Sequence, residues 1–361
     1  MPLKKCSQNK STIYFTSMRR LIFIGPFEGW QPPTNGESAK NQILLKRLQQ
    51  LYDKVVTIDT QNWRKNPLCM IKMGLSLLLL RNSKVIISAC DEAAYKLITI
   101  LKNIRIQKDI CYVVIGGGLF DCIQEKGLNT RNYDYLRKII VEGYAMKRNL
   151  ETLGLKNVKV VPNLKPNYNL TPRSEAAKAP VKFVFLSRIE PLKGCTLITN
   201  CTKRLNDKGR SKDFEVTFYG RVAPEYEVEF NEINNGVENV HYAGLLNLRT
   251  IEGYKELQKY DVFLFPTYYF NEGFPGALVD AFIAGLPIVA TDWHLNTEIV
   301  HDGETGFIIH PKDEDALFEV MENIIDNPSQ LAKLAINSRK EAEKYDINKV
   351  WNKELLNEIG I

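Results

Sequence analysis

Apolar runs of three to six residues recur along the chain, and between them lie longer stretches whose apolar positions fall three and four apart. The short runs read as strands buried on both faces, and the longer stretches as helices lying on them. The strands fall at residues 21–25, 55–58, 85–88, 111–115, 139–141 and 158–161 in the first half. In the second half they fall at 183–186, 216–219, 240–242, 262–265, 288–290 and 307–309. Strands that alternate with helices require right-handed crossovers, and so parallel sheets. The pattern predicts an α/β chain of two doubly wound, Rossmann-like domains. The break falls at residues 162–180, where Pro162, Pro166, Pro172 and Pro180 accompany few apolar side chains. Ligands of doubly wound sheets bind beyond the carboxyl ends of the strands. With two such domains facing each other, the cleft between them is the natural site.

The most apolar run is 68–80, which Lys72 interrupts. It falls short of the ~20 residues that span a bilayer. It is expected to form a buried helix of the first domain; the sharper alternative is a helix dipping into a membrane surface, flanked by Lys65, Arg81 and Lys84.

Composition adds limits. The chain has 361 residues, 44% hydrophobic and 25% charged, which suits a soluble protein of two domains with full cores. Seven scattered cysteines without a Cys-x-x-Cys pair, and only four histidines, argue against a zinc site. Such cysteines suit reduced thiols in a cytoplasm. No apolar segment long enough for a signal peptide precedes Leu21.

The net charge of +6 hides an asymmetry. Residues 1–180 hold 29 Lys and Arg against 13 Asp and Glu, a balance of +16. Residues 181–361 hold 19 against 29, a balance of −10. A basic half attracts nucleic acid, anionic lipid or acidic substrates, and the plain alternative is a solvated surface.

The densest chemistry lies at residues 266–292. An apolar strand ends in a turn carrying Glu272, Gly273 and Gly276, and a helix follows with Asp280 in it. Gly285 and Pro287 then end that helix before another strand. A helix N-terminus offers free N–H groups to an anion. The carboxylates accept hydrogen bonds from hydroxyls. A site that takes phosphate and polyol together suggests a sugar nucleotide. Two cations, Arg188 and Lys193, follow the strand at 183–186. They stand at the carboxyl edge of the sheet, where a guanidinium forks onto phosphate and an ammonium adds a point charge.

This set resembles the donor-binding signature of the retaining, GT-B-fold glycosyltransferases of family 4 (glycosyl transferases group 1). Glu272 and Asp280 match a motif of two glutamates with seven residues between them, with Asp for the second Glu. Residues 187–194 resemble the family's Gly-Arg…Lys-Gly segment, 302–307 its Asp-Gly-x-Thr-Gly-Phe, and Pro162-Asn163 its inter-domain Pro-Asn. The match is good over about 158–345 and weak before 150. It implies a first domain at 1–165 on the acceptor side, a donor-binding domain at 166–340, and a last helix at 341–361 crossing back onto the first.

The resemblance also implies roles. Arg188 and Lys193 would hold the leaving diphosphate, replacing the Mg²⁺ of many transferases, so neither metal nor cofactor is expected. Glu272 would contact the donor sugar, with Gly273, Phe274 and Gly276 lending backbone N–H groups. Asp280 would bind the ribose hydroxyls, although it is one methylene short. In the first domain the loop after the first strand, with Gly25, Asn35 and Gly36, would face diphosphate and acceptor. A second cluster, Gly116–Gly118, would shape the acceptor pocket. No His precedes His241, so the family's first-domain His has no counterpart. His294-Leu295 stands where relatives carry Gly-Gly.

The reading is a metal-independent, retaining hexosyltransferase. It moves a sugar from a UDP- or GDP-sugar to a hydroxyl of a glycan, expected to be lipid-linked, in cell-surface polysaccharide synthesis. The protein would work in the cytoplasm or on the inner face of the membrane, reached through the basic half. The alternatives are a sugar-nucleotide epimerase of the same fold, or a basic protein that binds membrane or nucleic acid. The acidic second half and the donor motif argue against nucleic acid as a partner.

Overall fold

In the computed structural model, which describes residues 19–28, 36–61, 63, 68–80, 82–171 and 177–361, two parallel six-stranded sheets carry helices on both faces. The first lobe runs β1 (Arg20–Gly25), α1 (Gly36–Leu51), β2 (Lys54–Asp59), α2 (Leu68–Leu79), β3 (Ser83–Ile87) and α3 (Asp91–Asn103). It continues with β4 (Ile110–Val113), α4 (Leu119–Glu125), β5 (Lys138–Val141), α5 (Tyr144–Thr152) and β6 (Val158–Val160). The second lobe runs β7 (Val181–Leu186), α6 (Cys195–Asp207), β8 (Phe214–Tyr219), α7 (Glu227–Gly236), β9 (Val240–Tyr242) and α8 (Ile251–Leu257). Then come β10 (Val262–Phe265), α9 (Gly276–Ala284), β11 (Ile288–Thr291), α10 (Asn296–Ile299) and β12 (Gly306–Ile309). The chain ends in α11 (Glu314–Asp326), α12 (Leu331–Glu341), α13 (Ile347–Val350) and α14 (Lys353–Ile359). All twelve predicted strands are present, with ends within two residues of the expected ones.

Strand order explains where a ligand belongs. The first sheet is ordered β2-β1-β3-β4-β5-β6 and the second β12-β11-β10-β7-β8-β9. In the second, the chain leaves β7 toward β9 and returns on the other side from β10 to β12. The crevice at such a reversal is where doubly wound sheets bind ligands. It opens between the ends of β7 and β10, the two strands that precede Arg188 and Glu272.

Side chains alternate across each strand, so each sheet feeds two cores. Ile22 and Ile24 of β1 join Ile98 of α3 and Ile123 of α4 in one core. Leu21 and Phe23 face the other, with Leu44 and Leu48 of α1. Trp351, Leu356 and Ile359, from the last twenty residues, complete that second core of the first lobe. The chain therefore crosses between lobes twice, and the crossings are tied together. Lys165 donates its N–H to the Tyr345 carbonyl and accepts from Ile347, both at 3.0 Å.

The apolar run at 68–80 departs from its expected burial. It forms α2, but only Cys69, Met73 and Leu77 are buried. Leu68, Ile71, Leu75, Leu78 and Leu79 are 52–72% exposed. A four-residue repeat of buried positions makes one stripe, and the sheet covers no more than that. Among the described residues no helix is long and apolar enough to cross a membrane.

Candidate functional site

Lys193 is set by its neighbours on both sides. The chain leaves β7, crosses Arg188 and Glu190, and makes a short helical turn, Pro191–Lys193. Gly194 then takes φ +84° at the start of α6. A Cβ there would lie 2.3 Å from the Pro266 carbonyl, so only glycine permits this close pass beneath the end of β10. Tyr268 N–H donates to the Leu192 carbonyl at 2.9 Å, stitching the two post-strand loops together.

Lys193 Nζ, 8% exposed as a residue, donates to Glu272 Oε2 at 2.5 Å. The same oxygen accepts from Thr267 Oγ1 at 3.1 Å. The Tyr269 ring gathers both cations, with Lys193 Nζ 4.4 Å and the Arg188 guanidinium carbon 5.9 Å from its centroid. Arg188 also donates to Glu190, which makes its proton still harder to lose. Its side chain is 52% exposed and accessible to a ligand. The second Glu190 oxygen, Oε1, is buried with no partner. Arg188, Lys193 and Glu272 therefore converge around one aromatic ring at the mouth of the β7/β10 crevice.

The turn that carries Glu272 touches the first lobe. A Cβ on Gly117 would meet the Glu272 carbonyl at 3.0 Å, and one on Gly273 would meet Gly116 at the same distance. Both glycine clusters of the sequence thus serve one close contact between lobes. Phe274 packs on Tyr345, ring centroids 5.6 Å apart, and its carbonyl accepts from Asn163 Nδ2 at 3.1 Å. The Pro-Asn motif of the linker therefore holds the donor turn in place. Gly276 opens α9, and Lys165 Cε lies 3.4 Å from where its Cβ would be.

Asp280 is enclosed by its own lobe and the linker. It is 4% exposed, and both oxygens have internal donors. Tyr254 Oη donates to Oδ1 at 2.6 Å and Lys165 Nζ to Oδ2 at 3.0 Å. Burial, with Asp280's charge beside it, pushes the Tyr254 hydroxyl well above its usual range, so it stays a donor. The shorter Asp thus bonds its own lobe and the linker, so a ribose hydroxyl would share these two donors' carboxylate.

At the start of the first-domain loop, packing accounts for one glycine. A Cβ on Gly25 would meet the Ser88 carbonyl at 2.3 Å and Asn41 Nδ2 at 2.9 Å. Packing of β1 against β3 and α1 is what demands this glycine. Gly36 begins α1 with nothing within 4 Å of its Cβ position, and Asn35 lies outside the described residues.

Three further groups stand at or near the lobe boundary, and of these only His294 had a sequence signal. Glu298 accepts from the N–H groups of Tyr144 at 2.6 Å and Ala145 at 2.7 Å, capping α5 across the lobe boundary. His294 adopts φ +50°, a left-handed conformation that suits the glycine expected there from relatives. It lines an interlobe pocket of about 240 Å³ together with Gly117, Phe120, Met146, Glu272 and Leu295. In the first lobe, Asp91 accepts from Tyr112 Oη at 2.9 Å. Burial pushes its carboxyl up to about 6, against that hydrogen bond.

The family described as "Glycosyl transferases group 1" matches residues 180–327. The 2-deoxystreptamine N-acetyl-D-glucosaminyltransferase of Niallia circulans is 29% identical over 160 residues, 44% of this chain and 39% of that protein. The capsular polysaccharide biosynthesis glycosyltransferase CapM of Staphylococcus aureus is 33% identical over 92 residues, 25% of this chain and 24% of that one. These matches span well under half the length of either relative. Among solved structures, Anabaena HepE in complex with UDP covers 94% of this chain and 99% of its own, with TM-score 0.69 at 14% identity. Residues 180–327 thus resemble the glycosyl transferases group 1 family, and the two lobes together take the GT-B fold.

Proposed function

We propose that the protein is a retaining glycosyltransferase that moves a sugar from a nucleoside diphosphate to a hydroxyl of a glycan, in cell-surface polysaccharide synthesis. The observation that carries this reading is the convergence of Lys193, Arg188 and Glu272 around Tyr269 at the switch point of the donor lobe. When the bond from the sugar C1 to the diphosphate breaks, negative charge grows on the leaving oxygen. Two fixed cations there act on the transition state more than on the bound donor. Glu272, held by Lys193 and Thr267, sits where it can orient the sugar hydroxyls. The acceptor oxygen attacks C1 from the face the diphosphate leaves, and its proton passes to the departing phosphate. The configuration is retained.

UDP and GDP both fit this scheme. UDP is favoured because HepE was solved with UDP and also with UDP-glucose. A lipid-linked acceptor is consistent with a first half of balance +16. Arg188 and Lys193 supply the charge that Mg²⁺ would otherwise supply, so the proposed reaction needs no metal.

Mass spectrometry and anomeric proton NMR of products made from a panel of UDP- and GDP-sugars test the reading. One donor should yield a product that keeps the donor's anomeric configuration. An inverted product, or hydrolysis alone with every acceptor, would overturn it. EDTA should leave the rate unchanged, and loss restored by Mn²⁺ would refute the metal-independent scheme.

A further inference from the structure

We propose that α2 is a docking helix for an anionic lipid surface. Its inner stripe, Cys69, Met73 and Leu77, is in the core, and nothing among the described residues covers the rest. Leu68, Ile71, Leu75, Leu78 and Leu79 are exposed to 68%, 59%, 52%, 67% and 72%. A surface helix of a water-soluble protein normally turns polar side chains outward, and contiguous apolar patches mark an interaction site. The patch extends past α2. Lys108 Nζ bonds the Leu80 carbonyl at 2.7 Å, which ties the turn after α3 to the end of α2. Shortly before that lysine the chain exposes Ile104 to 60% beside Arg105. Trp63, 48% exposed, precedes the helix, and tryptophan is the residue most at home between headgroups and water.

Charge selects the occupant. Between Asp59 and Asp91 the sequence has no acidic residue and five basic ones; of these Lys72 is exposed on α2, while Lys84 is paired with Asp109. A second copy packed on this face would set Lys72 and Arg105 against their own images. Residues 1–18 carry Lys4, Lys5 and Lys10 and no acid, so that segment would be repelled likewise. An anionic bilayer takes both features together, with apolar side chains entering the headgroup boundary and cations pairing with phosphates.

The test is co-sedimentation of the purified chain with phosphatidylcholine vesicles and with vesicles rich in phosphatidylglycerol, beside the variant Ile71→Gln/Leu75→Gln/Leu78→Gln. The wild type should partition onto the anionic vesicles at least roughly tenfold more than onto neutral ones. The triple variant should lose most of that binding, with an unchanged circular dichroism spectrum. If the triple variant misfolds, Lys72→Glu, which alters only an exposed charge, should weaken binding severalfold. Equal binding by wild type and variants, or no binding by the wild type, would overturn the proposal. So would a wild-type dimer in sedimentation velocity that the triple variant dissolves, since the patch would then belong to a second copy. Transfer activity is not a readout, so the result stands apart from the donor-site reading.

Discussion

Without a ligand, Lys193 and Glu272 satisfy each other, and a donor diphosphate would compete for the same ammonium. This makes Lys193 the most sensitive residue of the site. Lys193→Ala should lower kcat/KM by about 10²–10³-fold, the range for removing one fixed donor to a developing oxyanion. Arg188→Ala, at a more exposed position, should cost less and raise KM more; steady-state kinetics separate the two. Asp280 also bears on stability. Asp280→Ala removes the acceptor shared by Tyr254 and Lys165 and should cost about 2–3 kcal/mol, read as a lower Tm. Asp91 gives a pH signature. Its carboxyl rises from an ordinary 3.8 to about 6 in the fold, so folding disfavours the ionised form. Its contribution is therefore most favourable below pH 4 and falls as pH rises through about 6. Asp91→Asn should raise Tm at pH 8 and leave it nearly unchanged at pH 4; equal shifts at both would contradict this. Arg188, Lys193 and Glu272 were legible because residue type, spacing and strand end all mark them. The partners of Asp280 were not, because Lys165 lies 115 positions away and only the linker's path brings it near.

At the scale of elements, strand positions are fixed by short apolar runs, and their neighbours by handed crossovers. Both were readable in the sequence. What periodicity could not show is which helix faces stay uncovered. Helix α2 has enough apolar residues to be buried all round, yet the sheet offers it one stripe. The loops after β7 and β10 depend on one backbone position, Gly194. Gly194→Ala would force a Cβ against the Pro266 carbonyl at φ +84° and should cost at least about 2–3 kcal/mol. Because Lys193 precedes it, activity should fall with stability. A variant with wild-type Tm and rate would show that the two loops are not coupled as described.

Over the whole molecule, contacts among the described residues that join the lobes include the glycine contact at Gly117 and Gly273, the paired linkers at Lys165, and the Glu298 cap on α5. Between them lies a pocket of about 240 Å³ lined by Glu272 and His294. Glu298→Ala removes one tie, and solution scattering of the ligand-free variant should show a larger radius of gyration than the wild type; equal radii would mean that the cap does not hold the lobes. The account's central claim is that the donor lobe grips a nucleoside diphosphate through Arg188 and Lys193, and calorimetric titration with UDP and GDP tests it most directly. Wild-type protein should bind one of the two, and the folded Arg188→Ala/Lys193→Ala variant should bind it at least about a hundredfold more weakly. Undiminished binding by that variant, or no binding of either nucleotide by the wild type, would contradict it.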